Sequence, residues 1–437
     1  MYTAAMAKLR PRIETTLDKA RVIFDGDREL RAAILERREL VALLRDAAEP
    51  EALTTGRGGA AMPGASAPRD ERKQLLKTAV RLTPALAPRL WKQIDHCRKV
   101  LGVTAPIDVF VMQDSRLNAF VVPPEDGRLV LGITSATIEK LSDGELASVI
   151  GHELGHVLFD HFELYPLLSF DGDERLAPVD AMRVYAWMRY AELTADRVGL
   201  LCCDDYGVAL AAEFKIASGL CDPLQVGDLS EAATQFTALA AEELEASDQD
   251  WFATHPYSPL RIRALDLFHQ STTYHELRGK EGGKLSEAAL EREVAAIMEL
   301  MNPACLSERA PCRAEVREFL ALGALEVAAA DGRVKEAELQ AARRICSEGQ
   351  LAESVDKVMS WSGKKRGERL RELAEPLTVH LSGLRRRKLL EDLCVIALAD
   401  KKVDDSEHTV LTRLAELLQV DSMGVDAALG RLENPLD

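Results

Sequence analysis

His152, Glu153 and His156 fall in the segment SDGELASVIGHELGHVLFDHFEL as His-Glu-x-x-His. On an α-helix the two histidines stand one turn apart on one face. Both imidazoles can then reach a single tetrahedral Zn²⁺ at about 2.0–2.1 Å. Glu153 projects beside the coordination position they leave open, where a carboxylate can accept a proton from water acidified by the metal. The chemistry expected of this trio is hydrolysis, with Glu153 as general base.

A third ligand has to come from another helix. VYAWMRYAELTADRVGLLCC, residues 184–203, sets Glu192 and Asp196 at i and i+4, so both carboxylates share one face of an otherwise apolar helix. Buried carboxylates are costly unless paired or metal-bound. Glu192 is therefore assigned to the metal and Asp196 to a histidine ring, which it would hold in the metal-binding tautomer. His161 lies nine residues beyond His152. On a continuous helix that spacing points it away from the metal, so it is read as structural.

The elements that must position these groups are legible in outline. Ser142 and Glu145 form a capping box that starts the histidine helix. Residues 73–101 read as helical. IDVFVMQ (107–113), NAFVV (118–122) and RLVLGI (128–133) read as short strands of a small antiparallel sheet. The fold class expected is α+β, mostly α. Residues 1–50 form an N-terminal helical segment, and 51–70, rich in Gly, Ala, Pro and Ser, a flexible linker. The catalytic domain is expected over 71–275 and a connecting helical segment over 276–310. The acidic stretch 167–182 is either a surface connection or a lid at the groove mouth.

Residues 311–437 contain an internal repeat. LEVAAADGRVKEAELQAARRI (325–345) aligns with CVIALADKKVDDSEHTVLTRL (394–414), which superposes Asp331 on Asp400 and Glu338 on Glu407.

Composition narrows the function. A net charge of −16 over 437 residues argues against a nucleic-acid partner. No run approaches the ~18–20 apolar residues that span a bilayer, and the first residues lack a signal peptide's apolar region. Eight cysteines without framework spacing fit a reducing compartment, so a cytoplasmic location is expected.

Four stretches in order, NAFVVP (118–123), GHELGHV (151–157), AELTADRVG (191–199) and THPYSPLRIRAL (254–265), resemble gluzincin metallopeptidases of the HtpX and CAAX prenyl protease type over roughly residues 73–270. The resemblance implies a zincin-like fold with His152, His156 and Glu192 as zinc ligands and Glu153 as base. It also implies that Asn118, Ala119 and Phe120 lie on an edge strand that pairs with the substrate backbone, and that His255 and Arg261 flank the site. His255 would then donate to the developing oxyanion. The expected activity is a metalloendopeptidase acting on protein or peptide substrates. Members of that family are often membrane-embedded, whereas no transmembrane segment is expected here, and Pro123-Pro124-Glu125-Asp126-Gly127 replaces the usual glycine-rich turn.

The Asp-x-x-Val-x-x-x-Glu repeat resembles the tellurite-resistance TerB domain, an all-helical module. Asp331, Glu338, Asp400 and Glu407 match its acidic positions, and such hard ligands suit Ca²⁺ or Mg²⁺. A regulatory protein partner through this domain follows by analogy alone. The alternative reading is a latent or inactive zinc-binding scaffold acting through the TerB-like module. Glu153, which a purely structural site does not need, speaks against it.

Overall fold

The computed structural model describes residues 13–47, 68–125, 127–169, 178–222, 253–304, 312–330, 358–398 and 403–421, with a few single positions besides. The chain divides into two units. One comprises residues 1–174, 187–238 and 255–297, the other residues 175–186, 239–254 and 298–437. No helix among the described residues is long and apolar enough to cross a membrane.

In the first unit, α1 (Asp25–Glu36) and α2 (Arg38–Ala47) precede α3 (Pro68–Thr78). Of the expected linker, residues 51–67 lie outside the described ones and 68–70 begin α3. The expected helix over 73–101 is divided. A short strand, β1 (Val80–Leu82), and a turn intervene before α4 (Pro88–Leu101). Pro84 and Pro88 account for the break: neither has an N–H to continue a helical ladder, and Pro88 sits at the first turn of α4, where that N–H is not needed.

The strands β2 (Ile107–Met112), β3 (Ala119–Glu125) and β4 (Arg128–Thr134) join β1 in a sheet of order β1-β2-β4-β3. The sheet is mixed and not antiparallel throughout, because β2 and β4 run parallel. From β2 the chain passes over one strand position to the margin, runs back as β3, and turns into β4 between them. Alternating hydrophobicity sets which face each side chain takes. It does not set which strands are neighbours, so this order was not readable in advance. Phe110, Val122 and Val130 close one face with Leu75 of α3. Val109, Val121, Leu131 and Ile133, with the opposite parity, are buried on the other face.

After α5 (Ser135–Lys140) come α6 (Asp143–Leu158), α7 (Pro178–Cys203), α8 (Tyr206–Ser218), α9 (Ser258–His269), α10 (Thr272–Leu277) and α11 (Glu287–Met298). α6 packs on α4, α8 and β3. It also approaches α7 at glycines: a Cβ on Gly199 would stand 2.8 Å from the Ser148 carbonyl oxygen, and one on Gly151 2.7 Å from Cys202. The helices meet backbone to backbone there, which brings the histidines of one to the carboxylates of the other.

The expected separate N-terminal segment is part of this first unit. Thr15 Oγ1 donates to the Leu101 carbonyl, Lys19 to that of Leu158, and Arg31 pairs with Glu163.

The second unit contains α12 (Arg313–Ala328), α13 (Gly363–His380), α14 (Gly383–Ala397) and α15 (Asp405–Leu417). Their core includes Phe319, Leu322, Leu370, Leu377, Leu393 and Leu414. Glu326 ties three helices by pairing with Arg366 at 2.7 Å and Arg413 at 2.9 Å. Described elements of the two units together are helical apart from the small sheet, so α+β, mostly α, holds.

Candidate active site

α6 starts at a complete capping box. The Ser142 hydroxyl accepts the Glu145 N–H at 3.3 Å and the Glu145 carboxylate accepts that of Ser142 at 2.8 Å. It ends equally sharply. Asp160 takes a left-handed conformation (φ 58°), and the His161 N–H reaches back to the His156 carbonyl at 3.0 Å. That bond and the one from Asp160 N–H to the Val157 carbonyl make a Schellman stop. Between cap and stop, α6 presents His152 and His156 toward Glu192 of α7.

The two Nε2 atoms stand 3.1 Å apart, and each lies 3.4 Å from an oxygen of Glu192. Four ligands at about 2.05 Å around a tetrahedral ion are about 3.3 Å from one another. The two imidazoles are at that spacing, and the Glu192 carboxylate turns Oε2 to His152 and Oε1 to His156, so the three groups converge closely enough to hold one ion. The hydrogen bonds agree. His152 Nδ1 donates to Asp196 Oδ1 at 2.9 Å, which leaves its Nε2 with a lone pair. Glu192 Oε2 is buried with no hydrogen-bond partner. Imidazole nitrogens and a carboxylate converging on one buried point call for a cation among them, a proton on His152 or a metal ion in its place, so the donor set fits zinc. Among the described residues these three form the group able to hold a metal.

Burial alone would lower both imidazoles. Asp196 and Glu192 nevertheless hold His152 well above its ordinary value, whereas His156, with other imidazoles around it, stays well below. Burial would raise Glu192, yet His255, His156 and His152 keep it well below the carboxylate range. Asp196 is held at about 2 against its burial by Arg261 and His152. Arg261 grips it with two bonds, Nε to Oδ2 at 2.9 Å and Nη2 to Oδ1 at 2.5 Å, and lies 3.8 Å from Glu192.

Glu153 is buried, and burial raises its pKa to about 7, while the Val121 N–H pulls the other way. That contact sets Glu153 against β3, whose outer edge has no strand beside it among the described residues. Asn118 is bound inward: its carbonyl accepts from Thr134 N–H at 3.0 Å and its N–H reaches Thr137 Oγ1 at 2.8 Å. The antiparallel alternation then turns the backbone groups of Ala119 and Val121 outward and those of Phe120 toward β4. The Phe120 ring lies over Gly132, half-buried against the core closed by Leu75. Of the three expected substrate-strand residues, only Ala119 offers its backbone to the edge. The physical reason is the two-residue period of the strand.

His255 is placed at the site, its Nε2 3.6 Å from Glu192 Oε1, with its side chain 60% exposed. Two groups escaped sequence reasoning. Glu213 of α8 accepts from Arg261 at 3.1 Å, and burial raises its pKa. Tyr165 is kept protonated by burial and by the charges of Glu192 and Glu153. Neither belongs to a spaced motif.

His161 is buried as expected of a structural residue, but it does not face away from the metal position. Because α6 stops at Leu158, His161 folds back and its Nδ1 lies 2.9 Å from Nδ1 of His156. Extrapolating a helix past its end gave the wrong face.

Of the four acidic repeat residues, Asp331, Glu338 and Asp400 lie outside the described residues. Glu407 closes a capping box at the start of α15, its carboxylate accepting the Asp404 N–H at 2.8 Å. The stretch 170–175 of the suggested lid is also outside them. Residues 165–169 form a 3₁₀ turn, and α7 begins at Pro178.

Comparison with known proteins places these units. The sequence pattern of peptidase family M48 matches residues 84–169 and 173–268, and that of tellurite resistance protein TerB matches residues 317–429. The plastoglobule-localized metallopeptidase 48 of Arabidopsis thaliana chloroplasts is 27% identical over 201 residues, 41% of this chain and 56% of that protein. A protease HtpX homolog of Tropheryma whipplei is 29% identical over 213 residues, 41% of this chain and 72% of its own. One from Gemmatimonas aurantiaca is 25% identical over 211 residues, 75% of its length. No solved structure matches. The chain thus carries a peptidase family M48 domain of the HtpX type, joined to a C-terminal TerB domain.

Proposed function

We propose that this chain is a zinc-dependent endopeptidase. The observation that carries the reading is the convergence of His152, His156 and Glu192, the two Nε2 atoms 3.1 Å apart and each 3.4 Å from one of the two Glu192 oxygens, beside a buried Glu153 whose pKa burial pushes up to about 7. Zinc held there supplies Lewis acidity, acidifying water and polarising the scissile carbonyl. Glu153 takes the proton from the attacking water and passes it to the leaving amine; a base with a pKa near neutral serves both transfers. Asp196 and Arg261 fix the His152 tautomer. An extended substrate pairs with the outward backbone of Ala119, adding a strand to the sheet. His255 donates to the oxygen that gains charge in the transition state.

The named relatives are a metallopeptidase and proteases, which supports protein or peptide substrates. Among the described residues the free thiols Cys97, Cys202, Cys203, Cys221 and Cys312 suit the reducing cytoplasm. Binding of Ca²⁺ or Mg²⁺ by the TerB domain, and of a regulatory protein through it, remain readings from the acidic repeat alone. Cleavage of casein or a peptide library by purified protein tests the main reading. A zinc chelator should abolish cleavage and added Zn²⁺ restore it. Cleavage indifferent to the chelator contradicts it.

A further inference from the structure

Asp27, on the first turn of α1, is 1% exposed and lies well before the stretch matched by peptidase family M48. A carboxylate that deep needs donors. It has three. Trp187 Nε1 donates to Oδ1 at 2.8 Å, Thr194 Oγ1 to Oδ2 at 2.7 Å, and His161 Nε2 approaches Oδ2 at 3.2 Å. Trp187 and Thr194 belong to α7, the helix that carries Glu192.

His161 is fully buried, with Asp27 on one ring nitrogen and His156 on the other. The proton order along this chain is determined at its Asp27 end. An ionised carboxylate only accepts, so His161 carries its hydrogen on Nε2. Its Nδ1 then has a lone pair and accepts from Nδ1–H of His156. That leaves His156 Nε2 as a bare lone pair at the metal position.

We propose that Asp27 is a positioning residue for the zinc site, acting through His161 to hold His156 in the tautomer whose Nε2 binds the metal. The inference rests on the zinc-peptidase reading and extends it to the N-terminal helices, which become part of the metal-binding apparatus. His152 receives the same service from Asp196 directly; His156 receives it through one more ring.

Replacing Asp27 by Asn tests the order of protons. The carboxamide presents one oxygen and one NH₂ to donors on both sides, and an NH₂ facing His161 reverses both rings and puts a hydrogen on Nε2 of His156. Zinc affinity of full-length Asp27→Asn, measured by chelator competition, should fall ~10–100-fold. His161→Phe, which keeps an aromatic ring but no acceptor, should fall likewise and covers the case in which Asp27→Asn fails to fold. Arg31→Met is the control. It loosens α1 from Glu163, two residues past His161, without touching the hydrogen-bond chain, and should leave zinc affinity and the visible spectrum of the Co²⁺-loaded protein unchanged. If folded Asp27→Asn binds zinc as tightly as wild type, or Arg31→Met loses as much, the inference falls while the peptidase reading stands. If wild type binds no zinc, both fall.

Discussion

Replacing Arg261 by Met should destabilise the first unit and weaken its hold on zinc together. The guanidinium is 11% exposed and carries the Asp196 carboxylate at 2.9 and 2.5 Å, the Glu213 carboxylate at 3.1 Å and a 3.8 Å approach to Glu192. Methionine fills a similar volume and leaves these buried anions with no cation. Removing one partner of a buried pair costs about 3–5 kcal/mol. Glu213, already raised by burial, can escape by taking a proton, which puts the expected loss near the lower end, about 3 kcal/mol. Asp196 loses the guanidinium that holds it low, so burial pushes its carboxyl up and its grip on the His152 Nδ1–H weakens. Zinc affinity should therefore drop ~10–100-fold. Arg261→Lys should not restore it, because an ammonium cannot make the two-pronged grip. Urea unfolding of chelator-treated protein at pH 7, with chelator competition for zinc, reads both quantities. A Met variant within about 1 kcal/mol of wild type and with unchanged zinc affinity would refute the charge argument.

Other expectations follow from single contacts. Gly199→Val must push against the Ser148 carbonyl, costing about 1–3 kcal/mol and parting the two helices that share the metal, so zinc content should fall along with melting temperature. Ser142→Ala removes the hydroxyl half of the α6 cap and should cost about 1 kcal/mol in urea unfolding with zinc content retained; no change would mean the cap is not stabilising. Asp27 supplies a pH test. Its pKa is lowered on folding from 3.8, so the stability it contributes is complete above that value and is lost as pH falls through the folded pKa. The stability gap between metal-free wild type and Asp27→Asn should stay level from neutral pH down to about 5 and close below about 4. A gap that widens on acidification would reverse the sign.

The parts of the site visible in the sequence are those in which one helix carries several of the chemical groups. His152 and His156 share one turn of α6, and Glu192 and Asp196 one turn of α7, so periodicity alone puts each pair on a face. The sheet order was hidden because alternation fixes faces and leaves neighbours open. His161 was misplaced because the left-handed Asp160 ends the helix, and an Asp at that position is only a weak signal. Asp27 was beyond reach: its contact with His161 spans 134 residues, and nothing in its own surroundings marks it. Phe120 shows the limit of a resemblance, because a motif carries a residue into a strand without saying whether its ring or its backbone faces the groove.

The most direct measurement compares purified wild type with Glu153→Gln for zinc content and for cleavage of casein. The substitution keeps the size of the side chain and leaves His152, His156 and Glu192 in place. The account predicts about one zinc per chain in both proteins and cleavage by wild type alone. Cleavage by Glu153→Gln at the wild-type rate, with zinc bound, would contradict it.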